Sequence, residues 1–278
     1  VPDLAVGAIG DNTGGGTRGA LYVLFLERDG SVASFSKIAH GSGELSLVDG
    51  DTFGASCSLV GDLDGDGVPE LAVGAHSDDT GGSARGAVHL LFLDDDGSVK
   101  STTKIAHGNG VTLTNFNFFG SSCAVVGDLD GDGVPELAVG ASDDNFGGNA
   151  RGAVHLLFLN TNGSVKSSGK ILHGSGGLSL ADNDRFGRSC LSPGDLDGDG
   201  VVEVYATPSE PNHTRGGGQA GFVERYVPKN GLEATVVANL GNRHAKVELL
   251  PAALRTPLDP VMRQMLEQLG LAVSVGGL

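Results

Sequence analysis

Basic residues are scarce in this chain. Lys and Arg total 18 against 34 Asp and Glu, a formal net charge of −16 over 278 residues. Nucleic-acid affinity comes mainly from Lys and Arg neutralising phosphates, so this balance argues against a nucleic-acid partner. Long apolar runs are missing too. None approaches the 18 residues of a membrane-spanning helix, and the longest, such as Ala87 to Leu93, are strand-sized. There is no Trp, and there are only three Tyr and three Cys. An odd cysteine count without pairing logic gives no disulfide framework and no redox compartment. Catalytic signatures are also lacking: there is no nucleophile elbow, no HExxH and no Ser-His-Asp order. Two residue types are abundant instead. Glycine reaches 47 of 278 without the every-third spacing of collagen, and aspartate recurs in clusters.

A repeat accounts for both. GDLDGDGVPELAVGA runs from Gly61 to Ala75 and recurs identically from Gly127 to Ala141. A third copy, GDLDGDGVVEVYATP, starts at Gly194. The first Asp of each copy is Asp62, Asp128 and Asp195, spacings of 66 and 67. The opening VPDLAVGA aligns with Val68 to Ala75, so a fourth unit stands at the start. The intervening segments keep the same period: RGALYVLFL from Arg18, RGAVHLLFL from Arg85 and Arg151, and FGASCSLV, FGSSCAVV and FGRSCLSP from Phe53, Phe119 and Phe186. A chain with such a period is a repeat architecture.

Each unit reads as four short strands bounded by Gly, Asp, Asn and Ser. In the second unit these are Ser56 to Val60, Leu71 to Ala75, Ala87 to Leu93 and about Val99 to Ala106. The third strand is apolar on both faces, so neighbours must cover both. The second is built of small residues, and the fourth carries Lys and Thr as an outer edge does. The expected fold is all-β: a β-propeller of about four blades, each of four antiparallel strands, partial or small. A linear β-solenoid is the alternative, for which a 66-residue unit is long. The repeats are expected over residues 1–239, in units starting near 1, 53, 119 and 186, the last degenerate. A tail over 240–278 is expected to hold one helix near 259–269, with Asp259 as N-cap and Gly270 past its end. Because the chain opens inside a motif, it is expected to be a fragment of a longer secreted protein. LAVSV, Leu271 to Val275, is a candidate closing strand beside Leu4 to Ala8.

The DLDGDG loops point to a metal. Three carboxylates at alternate positions repel one another unless a cation lies among them. Hard oxygens at positions 1, 3 and 5 suit Ca²⁺, which takes 6–8 oxygen ligands. Position 7 offers a backbone carbonyl and position 9 a further carboxylate. The candidate ligands are Asp62, Asp64, Asp66, Val68 and Glu70; Asp128, Asp130, Asp132, Val134 and Glu136; and Asp195, Asp197, Asp199, Val201 and Glu203. That makes about three Ca²⁺ sites. An EF-hand begins alike but needs a bidentate Glu at position 12 and a following helix. Position 12 is Val73, Val139 or Ala206, and a strand follows.

The order of Phe53-Gly54, a DxDGDGxxE loop and Gly74-Ala75 resembles the FG-GAP repeat of integrin α-subunit propellers and their bacterial relatives, over residues 1 to about 238. The resemblance implies a seven-bladed propeller, Ca²⁺ in the hairpin loop between the first two strands of a blade, and ligands on the opposite face. The sequence departs from that pattern in three ways: Glu stands at position 9 where Asp is usual, Thr207-Pro208 replaces Gly-Ala in the last copy, and the length provides about four units.

Other repeated side chains read as structural. Cys57, Cys123 and Cys190 hold one equivalent position on the first strand, as small packing residues too far apart for a disulfide. His40, His107, His173, His89 and His155 come one per unit and do not converge on a zinc. Arg18, Arg85, Arg151 and Arg215 follow acidic loops and are expected to pair with acids and order them; partner binding by loops 76–85 and 142–151 is the alternative. The functional expectation is a non-catalytic extracellular Ca²⁺-binding module for cell adhesion. Its ligand is a protein or carbohydrate on the face opposite the calcium loops. The alternative is an accessory propeller of a secreted hydrolase or polysaccharide lyase.

Overall fold

The computed structural model describes residues 3–194, 203–207 and 224–225. By Cα proximity the chain divides into Val1–Asn212 and His213–Leu278. Of the second unit only the two-residue strand Glu224–Arg225 is described. The expected helix near 259–269, the 240–278 tail and the 271–275 strand all lie outside the described residues.

The first unit is all-β. One sheet holds β1 (Leu4–Ala8), β2 (Ala20–Leu26) and β3 (Val32–Ile38) in that order. The next holds β4 (Phe53–Gly61), β5 (Glu70–Ala75), β6 (Ala87–Leu93) and β7 (Val99–His107), with the short β8 (Gly110–Val111) parallel to β7. A third holds β9 (Phe119–Val125), β10 (Leu137–Ala141), β11 (Ala153–Leu159) and β12 (Val165–Ile171). β13 (Ser189–Gly194) pairs with β14 (Glu203–Thr207) in a fourth. The expected second, third and fourth strands of the second unit are β5, β6 and β7. The first begins earlier than the sequence suggests, at Phe53, because the Phe-Gly pair already joins the ladder opposite Ala75 across a bulge. These are antiparallel, propeller-like blades.

Tight turns set the hairpins. Between β6 and β7, Asp94 donates its N–H to the Ser98 carbonyl and receives the Gly97 N–H, each at 2.9 Å. Gly97 takes φ 75°, which any side chain would strain. The ladder slips by one residue between Phe92 and Leu93, a turn-and-bulge pairing that keeps the strand twist. The same turn recurs at Glu27–Ser31 and Asn160–Ser164.

Period-two alternation explains why β5 and β6 are apolar on both faces. Leu71, Val73, Leu91 and Leu93 pack with Leu21, Val23 and Phe53 in a core shared with the first sheet. Their neighbours Ala72, Val88, Leu90 and Phe92 pack with Leu137, Val139 and Leu157 of the third. Ala138 and Val154 repeat the pattern toward Ala206. The inner strands of successive sheets run against each other: β1, the second strand of the opening unit, on β4, then β4 on β9 and β9 on β13. At that contact there is no room for side chains: a Cβ on Gly74 would lie 2.0 Å from the Gly120 carbonyl oxygen, and one on Gly140 1.8 Å from that of Gly187. The crowded contact therefore lies between strand two of one blade and the Phe-Gly start of the next. The Gly-Ala and Phe-Gly signatures are its two halves. Ser56 and Ser122 add hydroxyl bonds to the same two carbonyls, at 2.9 and 2.8 Å.

Candidate metal centres

The loop between β4 and β5 folds around its own carboxylates. Asp62 accepts the N–H groups of Gly65, Asp66 and Gly67 at 2.7, 3.1 and 2.9 Å. Asp64 accepts from Asp66, and Asp66 from Val68 at 2.8 Å. Val68 turns the chain back so that Glu70 opens β5. The loop between β9 and β10 repeats this bond for bond. Asp128 accepts from Gly131, Asp132 and Gly133, Asp130 from Asp132, and Asp132 from Val134 at 2.9 Å.

One carboxylate oxygen each from Asp62, Asp64, Asp66 and Glu70 lies within 4.8 Å of the other three, and Asp128, Asp130, Asp132 and Glu136 form a second such group. Oxygens that far apart fit on one sphere around a Ca²⁺ at 2.3–2.6 Å. The ninth-position Glu is the informative member. Glu70 and Glu136 are fully buried, whereas the aspartates are exposed. Glu70 Oε2 accepts the Leu63 N–H and Glu136 Oε2 that of Leu129. Each Oε1 is buried with no partner. Burial, then the three neighbouring aspartates, raise both glutamic acids above the ordinary carboxyl range. A buried carboxylate oxygen without a donor is costly unless a cation meets it, so these residues fit a hard divalent ion. The longer Glu side chain reaches the cluster from the strand, while its second oxygen ties down the start of the loop.

A lysine that the sequence reading missed stands beside each loop. Lys100, on β7, bonds Asp64 Oδ2 at 2.7 Å and also Asp66 Oδ2. Lys166, on β12, bonds Asp130 and Asp132 at 2.6 and 2.5 Å. The hydrogen bond from Lys100 holds Asp66 below the usual carboxylate range, and Lys166 does the same to Asp132. A signal was present in the repeat: Ser-Val-Lys-Ser recurs at Lys100 and Lys166, while the opening unit reads Ser-Val-Ala-Ser at Ala33.

Of the third set, Asp195, Asp197, Asp199 and Val201 lie outside the described residues. Glu203 opens β14 opposite Gly194, the register that Glu70 has with Gly61. In the opening unit Asp3 accepts the Leu26 N–H at 3.1 Å.

The remaining repeated residues have structural partners. His40, His107 and His173 each accept a backbone N–H at Nδ1, from Leu47, Leu113 and Leu180. His89 and His155 are buried edge-on to Phe53 and Phe119, at 5.5 and 5.2 Å between ring centroids. All three cysteines are free; burial pushes the Cys123 thiol up to about 12. The arginines do pair, but not within their own loops. Arg18 and Arg151 reach Asp49 and Asp182 in the following linker, and Arg85 bonds a neutral Asn115. The acidic loops are held instead by lysines of the last strand: Lys37 to Asp11, Lys104 to Asp78 and Lys170 to Asp144. Arg215 lies outside the described residues.

Comparison with known proteins agrees with this geometry. A family model described as an FG-GAP-like repeat matches residues 62–139, which span both loops. Integrin alpha-5 of Xenopus laevis is 34% identical over 158 residues, 55% of this chain and 14% of the relative. Integrin alpha-6 of Gallus gallus is 29% identical over 187 residues, 67% of the chain and 16% of the relative. Integrin alpha pat-2 of Caenorhabditis elegans is 35% identical over 89 residues, 32% and 7%. The chain thus spans at most 16% of the length of these relatives. A model of the UreE urease accessory protein C-terminal domain matches residues 229–276, outside the described residues.

Proposed function

We propose, from the premise that this is an FG-GAP repeat chain similar to integrin α-subunits, that it is a non-catalytic adhesion-type module outside the cell whose blades are stabilised by calcium. The observation that carries the reading is the twice-built loop: four convergent carboxylates, one of them a fully buried Glu with an orphaned oxygen. Calcium at each loop offsets two of the cluster's four negative charges and gives that oxygen a partner. Asp62, Asp64, Asp66 and Glu70, and Asp128, Asp130, Asp132 and Glu136, would hold the ion, with Val68 and Val134 at the carbonyl position. The 195–203 loop is the third member of the set.

The ion's role here is structural. Sites with dissociation constants of ~10⁻⁴–10⁻³ M are typical of extracellular modules, which supports a location where calcium is plentiful. A protein or carbohydrate ligand is assigned to the face opposite these loops. The carboxylates, lysines and arginines of the loops are repeat elements, whereas a catalytic centre needs unique ones, which supports a non-catalytic role. Calcium titration by calorimetry, paired with thermal unfolding in calcium and in EDTA, tests the reading. Saturable binding and a higher melting temperature in calcium are expected. Identical melting curves with no heat of binding would overturn it.

A further inference from the structure

We propose that Lys100 and Lys166 are resident counter-ions of the two loops that compete with calcium and lower its affinity. The inference rests on the calcium reading above.

Each lysine is the second residue of the last strand in its blade, and each spans from that strand to the loop of the same blade. Lys100 Nζ contacts Asp64 and Asp66, and Lys166 Nζ contacts Asp130 and Asp132. The arrangement is thus built twice, 66 residues apart. The oxygens these ammoniums bind belong to two of the four carboxylates a calcium ion would use. One ammonium offsets one of four negative charges and reaches neither buried Glu Oε1, which stays unpartnered. Each cluster is therefore left short of cationic charge.

The lysine side chains are 36% and 38% exposed, so each has solvent into which to swing when a divalent ion arrives. A +1 charge left about 5 Å from a +2 ion in a water-like, screened medium weakens binding roughly five- to tenfold. Swinging away instead requires breaking two charge-assisted bonds. Both routes cost affinity.

The test compares the intact chain with Lys100→Gln/Lys166→Gln, the two single variants, and Lys100→Arg/Lys166→Arg. Calcium binding is read by calorimetry and unfolding temperature in EDTA and in saturating calcium. The double Gln variant is expected to bind calcium about five- to tenfold more tightly. It should melt lower than wild type in EDTA and no lower in calcium. Each single Gln variant shifts one class of site, and the Arg variant stays near wild type. Unchanged or weaker calcium binding in the Gln variants overturns the proposal, since it makes the lysines bystanders or aids to binding. No calcium binding in the wild-type chain refutes the calcium reading itself and the lysine proposal with it. Binding in wild type without tightening in the variants refutes the lysine proposal alone.

Discussion

Gly74 of one blade and Gly120 of the next meet backbone to backbone: a Cβ on Gly74 would stand 2.0 Å from the Gly120 carbonyl oxygen. No rotamer relieves a clash between two main chains inside paired ladders. Gly74→Ala is therefore expected to cost about 2–4 kcal/mol and to loosen the joint between the second and third sheets. Gly169→Ala, on the outer strand β12 with nothing within 4 Å, is expected to be neutral within about 0.5 kcal/mol. Urea unfolding of the two variants checks the contrast; equal midpoints would show that the close approach carries no weight.

Glu70 and Glu136 are expected to be the calcium ligands whose loss is felt most. Glu70→Gln/Glu136→Gln keeps shape but removes the buried charge, so calcium affinity should fall at least about tenfold and the calcium-dependent rise in melting temperature should shrink. Each tenfold loss in affinity is about 1.4 kcal/mol. In EDTA the same variant should be as stable as wild type or more so, because an uncompensated buried carboxylate is gone. A variant that is weaker in EDTA and unchanged in its calcium response would contradict the assignment.

Acid should destabilise the fold through two buried histidines. Burial, helped by Lys104 and Lys170, pushes His89 and His155 down from 6.5 to about 4. Both stay neutral in the folded state at pH values where the unfolded chain already binds protons. Stability is unaffected above about pH 6.5 and falls as pH drops from there to about 4, by a loss of about 3 kcal/mol for each histidine. Unfolding free energies in EDTA at pH 7 and pH 4.5 should diverge for wild type and converge for His89→Leu/His155→Leu. Parallel pH profiles would refute this.

Two ion pairs of similar length should differ sharply in worth. Lys104 lies 2.5 Å from Asp78, whose side chain is only 2% exposed. Arg18 lies 2.7 Å from Asp49, which is 63% exposed. Lys104→Met strands a buried carboxylate and should cost about 3 kcal/mol, whereas Arg18→Ala should cost under about 1 kcal/mol. Chemical denaturation of both variants at one pH decides the point.

Much of this was legible in the sequence because the repeat prints the same local problem several times. The strands β5, β6 and β7 follow from alternation and turn residues. The loop carboxylates follow from spacing, since position in a nine-residue loop fixes which side chains converge. What the sequence hid was partnership across long separations. Lys100 bonds residues more than thirty positions earlier, and a lone Lys on a polar strand looks like solvent-facing charge. Arg85 follows Asp78-Asp79, yet its guanidinium bonds Asn115 while Lys104 takes Asp78; only the stacking of strands and linkers decides between them. The small residues of strand two fit a crowded place, but that Gly74 meets Gly120, one half of each contact lying a blade away, is visible only in the structure.

The alternation along β5 and β6 has a mechanical consequence. Leu71 and Leu91 belong to one core, Ala72 and Leu90 to the next. Each hairpin is therefore a shared wall, and the smallest cooperative piece of the molecule is the seam between two sheets rather than either sheet by itself. Force or mutation applied to one wall is felt in two rooms at once. Strain in such a stack spreads to nearest neighbours and no farther in a single step, so the chain should yield seam by seam from its ends.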